Sequence, residues 1–402
     1  MTPTDTTART DARTAPRPGA LDGVRVVDLT QVMAGPFATM LLADLGADVI
    51  KVEQPGSGDQ TRVSWGYPPP GRDSPAFHAL NRNKRSVTLD LGSEQGKSGF
   101  RRLLADADIV VENFRPGVAA RLGVDYDSVR AIKPDIVYAS VSGFGQYGPY
   151  AERPGYDLIA QGMAGAISIT GDPDGAPVKC GLPVGDLGAG LFCLYGILGA
   201  HIHRLRTGEG QYLETSLYEA VLALSVWEST EFFSTAKAPE RLGSANRMSA
   251  PYQVVRAADG HLTIAANNQR LWQRLCQALG LEHLAGDERF ATNMARMEHR
   301  PELIALIEGR LAASTVEEAV NLLLDAGVPA GPILDYAHIL AHDPHAKVRA
   351  MVEEYEHPVE GPTRVLGFPV KLGRTPARIR RHPPLLGEHN AELLMPAPAE
   401  PR

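Results

Sequence analysis

The chain has 402 residues, 44% of them apolar, and a net charge of −7, which is more than one compact core accommodates and enough buried surface for a two-domain enzyme. Its arginines are dispersed and form no basic stripe, which argues against a nucleic-acid partner. Cys180, Cys193 and Cys276 are odd in number and make no CxxC pair, which argues for a reducing compartment, taken here as the cytoplasm, and against a zinc or disulfide framework.

Residues 1–20, rich in Thr, Ala, Arg and Pro, read as a disordered tail rather than a signal peptide or anchor. No uninterrupted apolar run approaches the roughly 20 residues of a membrane-spanning helix, so no membrane association is expected. Residues 24–53 then read as a βαβ unit: a buried strand at 24–29, a helix whose first turn is preset by Pro36 and which ends at Gly46, and a second strand at 48–53. The pattern repeats with strand 86–91, helix 94–106 and strands 108–112 and 135–141. An α/β sheet follows from that alternation. A long helix, expected over 188–205, closes at Thr207-Gly208-Glu209-Gly210, and Gln211–Ser216 returns as a strand. A linker is expected near 234–250. Beyond it a strand pair, 252–256 and 261–266, joins at Asp259-Gly260, and helices are expected at 268–279, 301–312 and 315–326. Strand-like segments 352–357 and 363–371 lie in a tail that returns to the large domain. The expected division is 21–225 and 331–395 for a Rossmann-like large domain and 226–330 for a smaller α+β domain.

Asp186 stands in Val184-Gly185-Asp186-Leu187-Gly188-Ala189-Gly190 at the head of the long helix. Glycines leave such a carboxylate open to an acyl carbon, and helix amides behind it favour its ionised form, so it is either a covalent nucleophile or an N-cap. Gly143-Phe144-Gly145-Gln146-Tyr147-Gly148 matches GxGxxG, but Pro149 and Pro154 bracket the residues after it and no helix opens there, so a dinucleotide site is refused. Gly56–Arg62 is a ligand loop or a solvated one. Asn81-Arg82-Asn83-Lys84-Arg85 is a phosphate site or a charged edge. Asn113-Phe114-Arg115-Pro116-Gly117 offers an amide, a ring and a cation for an adenine and its phosphates, or is an ordinary turn. His201 and His203 diverge on a helix, His338, His342 and His345 have no cysteine–carboxylate cluster about them, and no HExxH occurs, so no metal site is expected. GxSxG and P-loop motifs are absent.

Taken in order, Ala34-Gly35-Pro36, 46–53, 56–59, Asn83–Ser86, Val111–Phe114, 143–149, Gly155-Tyr156-Asp157, Gly185-Asp186, 207–211 and Leu386-Gly387-Glu388-His389 resemble the class III coenzyme A transferases, from about Leu21 to Leu394. The resemblance implies an interlocked homodimer and a CoA-transferase reaction. Asp186 would attack the donor thioester, form a mixed anhydride and then an aspartyl-CoA thioester, and hand CoA to an acid acceptor. It implies CoA contacts at Met33, Ala34, Leu89, Asn113, Phe114, Arg121 and Asp157, with Arg82, Lys84, Arg85 or Arg121 available to phosphates. Met33 and Gln54 depart from the formyl-CoA transferase pattern, in which glutamine and arginine occupy those positions, and the glycine-rich loop of that enzyme is missing around 244–251. The likeness is closer to the succinyl-CoA:dicarboxylate branch, for which Arg247 is the candidate partner of a second substrate carboxylate. Acyl-CoA and acid are substrates, and no permanently bound cofactor is implied. The alternatives are an acyl-CoA racemase, disfavoured because Tyr156 fills its histidine position, and a non-catalytic CoA-binding protein.

Overall fold

The computed structural model describes residues 18–64 and 72–394. The chain divides into two compact units. The first takes the chain up to Ala160, then Val184–Ala220, then from Lys347 onward; the second takes Gln161–Pro183 and Val221–Ala346. The expected boundaries at 225 and 330 therefore fall near 220 and 346, and segment 161–183 groups with the second unit although its sequence carries no mark of belonging there.

Six strands make the sheet of the first unit: β1 (Arg25–Asp28), β2 (Asp48–Glu53), β3 (Lys84–Thr88), β4 (Ile109–Glu112), β5 (Val137–Ser142) and β6 (Tyr212–Ser216). All pair in parallel, in the order β3-β2-β1-β4-β5-β6. Val27 lies opposite Ile50 on one side and Val110 on the other, all three fully buried. Strands covered on both faces are rich in β-branched apolar residues, and the Val and Ile pairs of β1, β2 and β4 are what make them legible as such.

Two helices carry candidate site residues in their first turns. The first, Ala34–Asp44, carries Pro36 in its first turn, as expected, and ends one residue before Leu45. The second, Val184–Thr207, begins four residues earlier than expected, so Asp186 lies inside its first turn. This second helix is long and apolar enough to cross a membrane by length and composition alone, although Asp186, His201 and His203 interrupt its apolar run. It lies against the first helix. A Cβ on Gly190 would stand 2.8 Å from the Ala34 carbonyl oxygen, so only glycine permits that approach.

The outer edge of β3 is closed by the segment 386–390. His389 N donates to Ser86 O at 2.9 Å, Thr88 N donates to Asn390 Oδ1 at 2.8 Å, and Asn390 Nδ2 donates to Thr88 Oγ1 at 2.8 Å. A sheet edge is thereby removed from association with other chains.

In the second unit β7 (Tyr252–Arg256), β8 (His261–Ala265) and β9 (Ala330–Pro332) form an antiparallel sheet. Helices Gln269–Leu279, Arg300–Leu311 and Val316–Asp325 surround the buried Trp272, each within a residue of the expected bounds. Back in the first unit, β10 (Val352–His357) and β11 (Gly361–Leu366) pair as a hairpin.

Of the expected tail, residues 1–17 lie outside the described residues. At 18–20 the expectation fails: a Cβ on Gly19 would stand 2.5 Å from the Leu45 carbonyl oxygen, so that stretch lies against the end of the first helix.

Candidate active site

In a doubly wound sheet of this order, the loops leaving β1 and β4 run to opposite faces, and a crevice opens between them at the carboxyl ends of the strands. The first unit has a cavity of about 280 Å³ at that position. Gln31, Val32 and Met33 follow β1 into its wall, and Asn113–Pro116 follow β4. Ser142 and Gly143 come from the end of β5, and Ala34 and Asp186 from the first turns of the two helices.

The wall is fixed from beneath by buried charge. Lys51 Nζ lies 2.9 Å from Asp59, Lys84 Nζ lies 3.0 Å from Asp28, and the Arg62 guanidinium lies 2.7 Å from Glu53. Burial works against the ionised form of Asp59, yet Lys51 and bonds from Thr61 hold its carboxyl at about 2. Asp59 Oδ1 in turn accepts from Val32 N at 3.3 Å. Val32 sits at φ +68°, a region costly to a β-branched residue by about 1–3 kcal/mol, and this strain lies in the cavity wall. Asn113 completes the support. Its Oδ1 accepts from Gln31 N and its Nδ2 donates to Gln31 O, both at 2.8 Å, which ties the β1 and β4 loops across the crevice.

Asp186 opens on this cavity from the third residue of its helix. Burial, and then the neighbouring Asp157, push its carboxyl from the usual 3.8 up to about 7. Sequence reasoning expected the helix amides to keep it ionised. Helix-start stabilisation is typically 0.3–1 kcal/mol, less than one pH unit, whereas removing a carboxylate from water outweighs that several-fold. Asp157 Oδ1 accepts from Gly185 N at 2.8 Å, so the neighbouring carboxylate takes the helix-start amide next to Asp186. Among the described residues no amide donates to Asp186 itself, which removes the N-cap reading.

The other expected site residues divide. Met33, Ala34, Asn113 and Phe114 line the cavity with Asp186, and Asp157 stands beneath it through Gly185. Leu89 is a core side chain, packed in the cluster that contains Val87 and Phe100. Arg121 is exposed on the short helix Val118–Leu122 and does not line the cavity. The three cations of 82–85 are spent on ion pairs rather than held for phosphates: Arg82 with Asp44 at 2.6 Å, Lys84 with Asp28, and Arg85 with Asp48 at 2.5 Å and Glu392 at 2.7 Å. Arg247 pairs with Glu231 at 2.8 Å and lines a separate cavity within the second unit, so its charge is already matched. The cations on the Asp186 cavity are Arg115, present in the Asn113–Gly117 motif, and Arg153, which sequence reasoning passed over. Arg153 lies 4.2 Å over the Tyr150 ring, in the Tyr-Ala-Glu-Arg stretch whose aromatic–cation spacing was its only signal.

The GxGxxG stretch serves backbone approach. A Cβ on Gly143 would stand 2.9 Å from the Gly155 Cα, which brings the ends of this loop together at the cavity beside Tyr156.

The model of CoA-transferase family III matches residues 21–390. The succinate–glutarate CoA-transferase of Agrobacterium fabrum is 41% identical over 382 residues, 93% of this chain and 94% of that protein. The succinyl-CoA–D-citramalate CoA-transferase of Chloroflexus aurantiacus is 39% identical over 379 residues, 94% and 93% of the two chains. Among solved structures, a CAIB/BAIF family protein from Brucella suis superposes with a TM-score of 0.83 at 40% identity, covering 94% of this chain and 99% of that one.

Proposed function

The chain belongs to CoA-transferase family III, and from that premise we propose that it moves CoA from succinyl-CoA to a dicarboxylic acid with Asp186 as the covalent carrier. The observation that carries the reading is the position of Asp186, a desolvated carboxyl in the first turn of a helix, open to a cavity at the switch point of the sheet.

The chemistry follows from such a carboxylate. One Asp186 oxygen attacks the thioester carbonyl carbon, the tetrahedral oxyanion collapses, and CoA leaves as a thiolate. The mixed anhydride left on Asp186 is then attacked at the aspartyl carbonyl by that thiolate, which releases the donor acid and forms aspartyl-CoA. The acceptor carboxylate attacks this thioester, expels the thiolate and makes a second anhydride. The thiolate finally attacks the acceptor acyl carbon and frees Asp186. No water and no net proton enter, which suits a carboxyl whose charged form partial burial already disfavours. A carboxylate held at about 7 is also a stronger nucleophile than one at 3.8, at the expense of being only half ionised near neutrality. Ala34 supplies an oxyanion donor, since the amide of a first helical residue has no partner within its helix.

Met33, Ala34 and Phe114 take the thioester end of CoA in this reading, Asn113 holds the crevice, and Arg115 and Arg153 meet the phosphates. Leu89 and Arg121, as placed, support at most indirect roles. The homodimer is part of the same proposal. Leu191, Tyr195, Ile202 and Leu205 form one exposed apolar face on the helix that carries Asp186, 49–70% accessible, and a second copy is the occupant that covers it.

Relatives of nearly equal identity take glutarate or citramalate, so a panel reads the acceptor. The protein is incubated with succinyl-CoA and glutarate, citramalate, malate, oxalate and monocarboxylic acids, and new acyl-CoAs are weighed. A dicarboxyl-CoA product is expected. Hydrolysis of succinyl-CoA alone, with no exchange into any acid, would overturn the reading.

A further inference from the structure

His78 sits on the short helix Pro75–Asn81, and His357 and Glu360 lie at the turn of the β10–β11 hairpin. The fold brings one ligating atom of each within 4.8 Å of the others. His78 and His357 are 4% and 2% accessible.

Two atoms of this cluster have no partner. His78 Nε2 and Glu360 Oε1 are buried and make no hydrogen bond. An unmade bond on a buried polar atom costs about 1–3 kcal/mol, so two of them on residues of one cluster call for an occupant. The surroundings also fix their roles. Tyr355 Oη lies 3.4 Å from His78 Nδ1, and in the tautomer that carries its proton on Nδ1 the unpartnered Nε2 is the nitrogen free to ligate. Arg72 pairs with the other oxygen of Glu360 at 3.1 Å, which leaves Oε1 as the ligating atom. His357 Nε2 faces the Pro383 carbonyl at 3.3 Å, and its Nδ1 accepts only long bonds, 3.3 and 3.2 Å, from the amides of Val359 and Glu360.

We propose that His78, His357 and Glu360 form a binding site for one divalent transition-metal ion of the zinc type. Two imidazoles and one carboxylate, with water completing a tetrahedron, are the donors zinc takes, and they are too nitrogen-rich and too few for calcium or magnesium. Neighbouring positive charge does not bar the cation: Arg62 is matched by Glu53 and Asp73, and Arg72 by Glu360 itself. The ion would tie the turn of the hairpin to the helix Pro75–Asn81 and so act on stability rather than on the acyl transfer. Composition gave no sign of it, because the ligands come from opposite ends of the chain.

The test uses full-length protein stripped with a chelator and titrated with Co²⁺ and Zn²⁺ alone. One equivalent of cobalt with the visible bands of a four-coordinate ion is expected, displaced by zinc, together with a rise in melting temperature on zinc addition. His78→Gln and Glu360→Gln, both close in shape to the native side chains, should each weaken binding at least tenfold while the stripped proteins keep wild-type circular dichroism. The double variant His338→Ala/His342→Ala, which removes a helical histidine pair in the second unit, should bind as the wild type does. Absence of stoichiometric binding would overturn the proposal and leave a bridging water as the occupant. Binding that survives both glutamine variants, or that is lost in the double alanine variant, would overturn it equally.

Discussion

Asp186→Asn separates the two consequences of burying the carboxyl proposed as the nucleophile. In the folded protein the carboxyl holds its proton up to about pH 7, whereas in the unfolded chain it releases it near 3.8. Below about pH 4 both states are protonated and the residue is neutral toward stability. As pH rises from about 4 to about 7, the unfolded state gives up a proton that the folded state retains, so the folded protein loses stability through that window, and the full penalty stands above it. From 3.8 to about 7, at about 1.4 kcal/mol per pH unit, the ceiling is roughly 4 kcal/mol. The carboxyl borders a cavity and is only half-buried, so solvent screening brings the expectation to about 1–2 kcal/mol. Asparagine has the same shape and no charge. The variant should therefore melt a few degrees higher than wild type at pH 8, match it near pH 4, and have lost essentially all CoA transfer. Incubated with succinyl-CoA alone, wild type should carry an adduct at Asp186 that hydroxylamine or borohydride traps, and the variant none. Equal melting shifts at both pH values would refute the electrostatic argument. A variant that keeps substantial transfer would refute the covalent one.

Asp157→Asn keeps an oxygen to accept the Gly185 amide but removes the charge that helps raise Asp186, so the acidic limb of kcat/KM should move to lower pH; an unmoved limb refutes the coupling. Asn390→Ala deletes both side-chain bonds to Thr88 at the β3 edge and should cost about 1–2 kcal/mol, read as a lower urea midpoint without loss of specific activity in the folded protein; no change would show that the backbone alone closes the edge. Sedimentation should give a homodimer of the 43.2 kDa chain, and a stable active monomer would show that the Leu191–Leu205 face needs no cover.

Strands β1 to β5 of the first unit are readable because they are buried on both faces, so Val24–Leu29 and Asp48–Glu53 leave nothing for another structure to use. Helix starts are less so. Val184–Thr207 begins at a valine and a glycine, and the side chain that takes its Gly185 amide, Asp157, lies 28 residues earlier in the chain, so the sequence places the start at Gly188 instead. The three-residue β9 is too short to have a period. Of the expected site residues, those that come together on the cavity are ones held by neighbours in sequence: Met33-Ala34, Asn113-Phe114, and Asp186 among its glycines. Those misread are charges whose partners lie elsewhere in the chain. Nothing in Asn81–Arg85 announces Asp44, Asp28, Asp48 or Glu392, and a cationic run looks the same whether its charges are free or already matched. Arg247 is the same case, with Glu231 sixteen residues before it.

The β3 edge also sets an order of events during synthesis. Its strand is finished at Thr88, but the residues that cap it, 386–390, are made about 300 residues later. At typical elongation rates of about 5–20 residues per second, that strand waits on the order of 15–60 s on a nascent chain with its outer amides bare. Any ribosome stall, nonsense codon or C-terminal deletion upstream of Leu386 therefore yields a sheet made without its guard, and such products are expected to collect in aggregates rather than as soluble fragments.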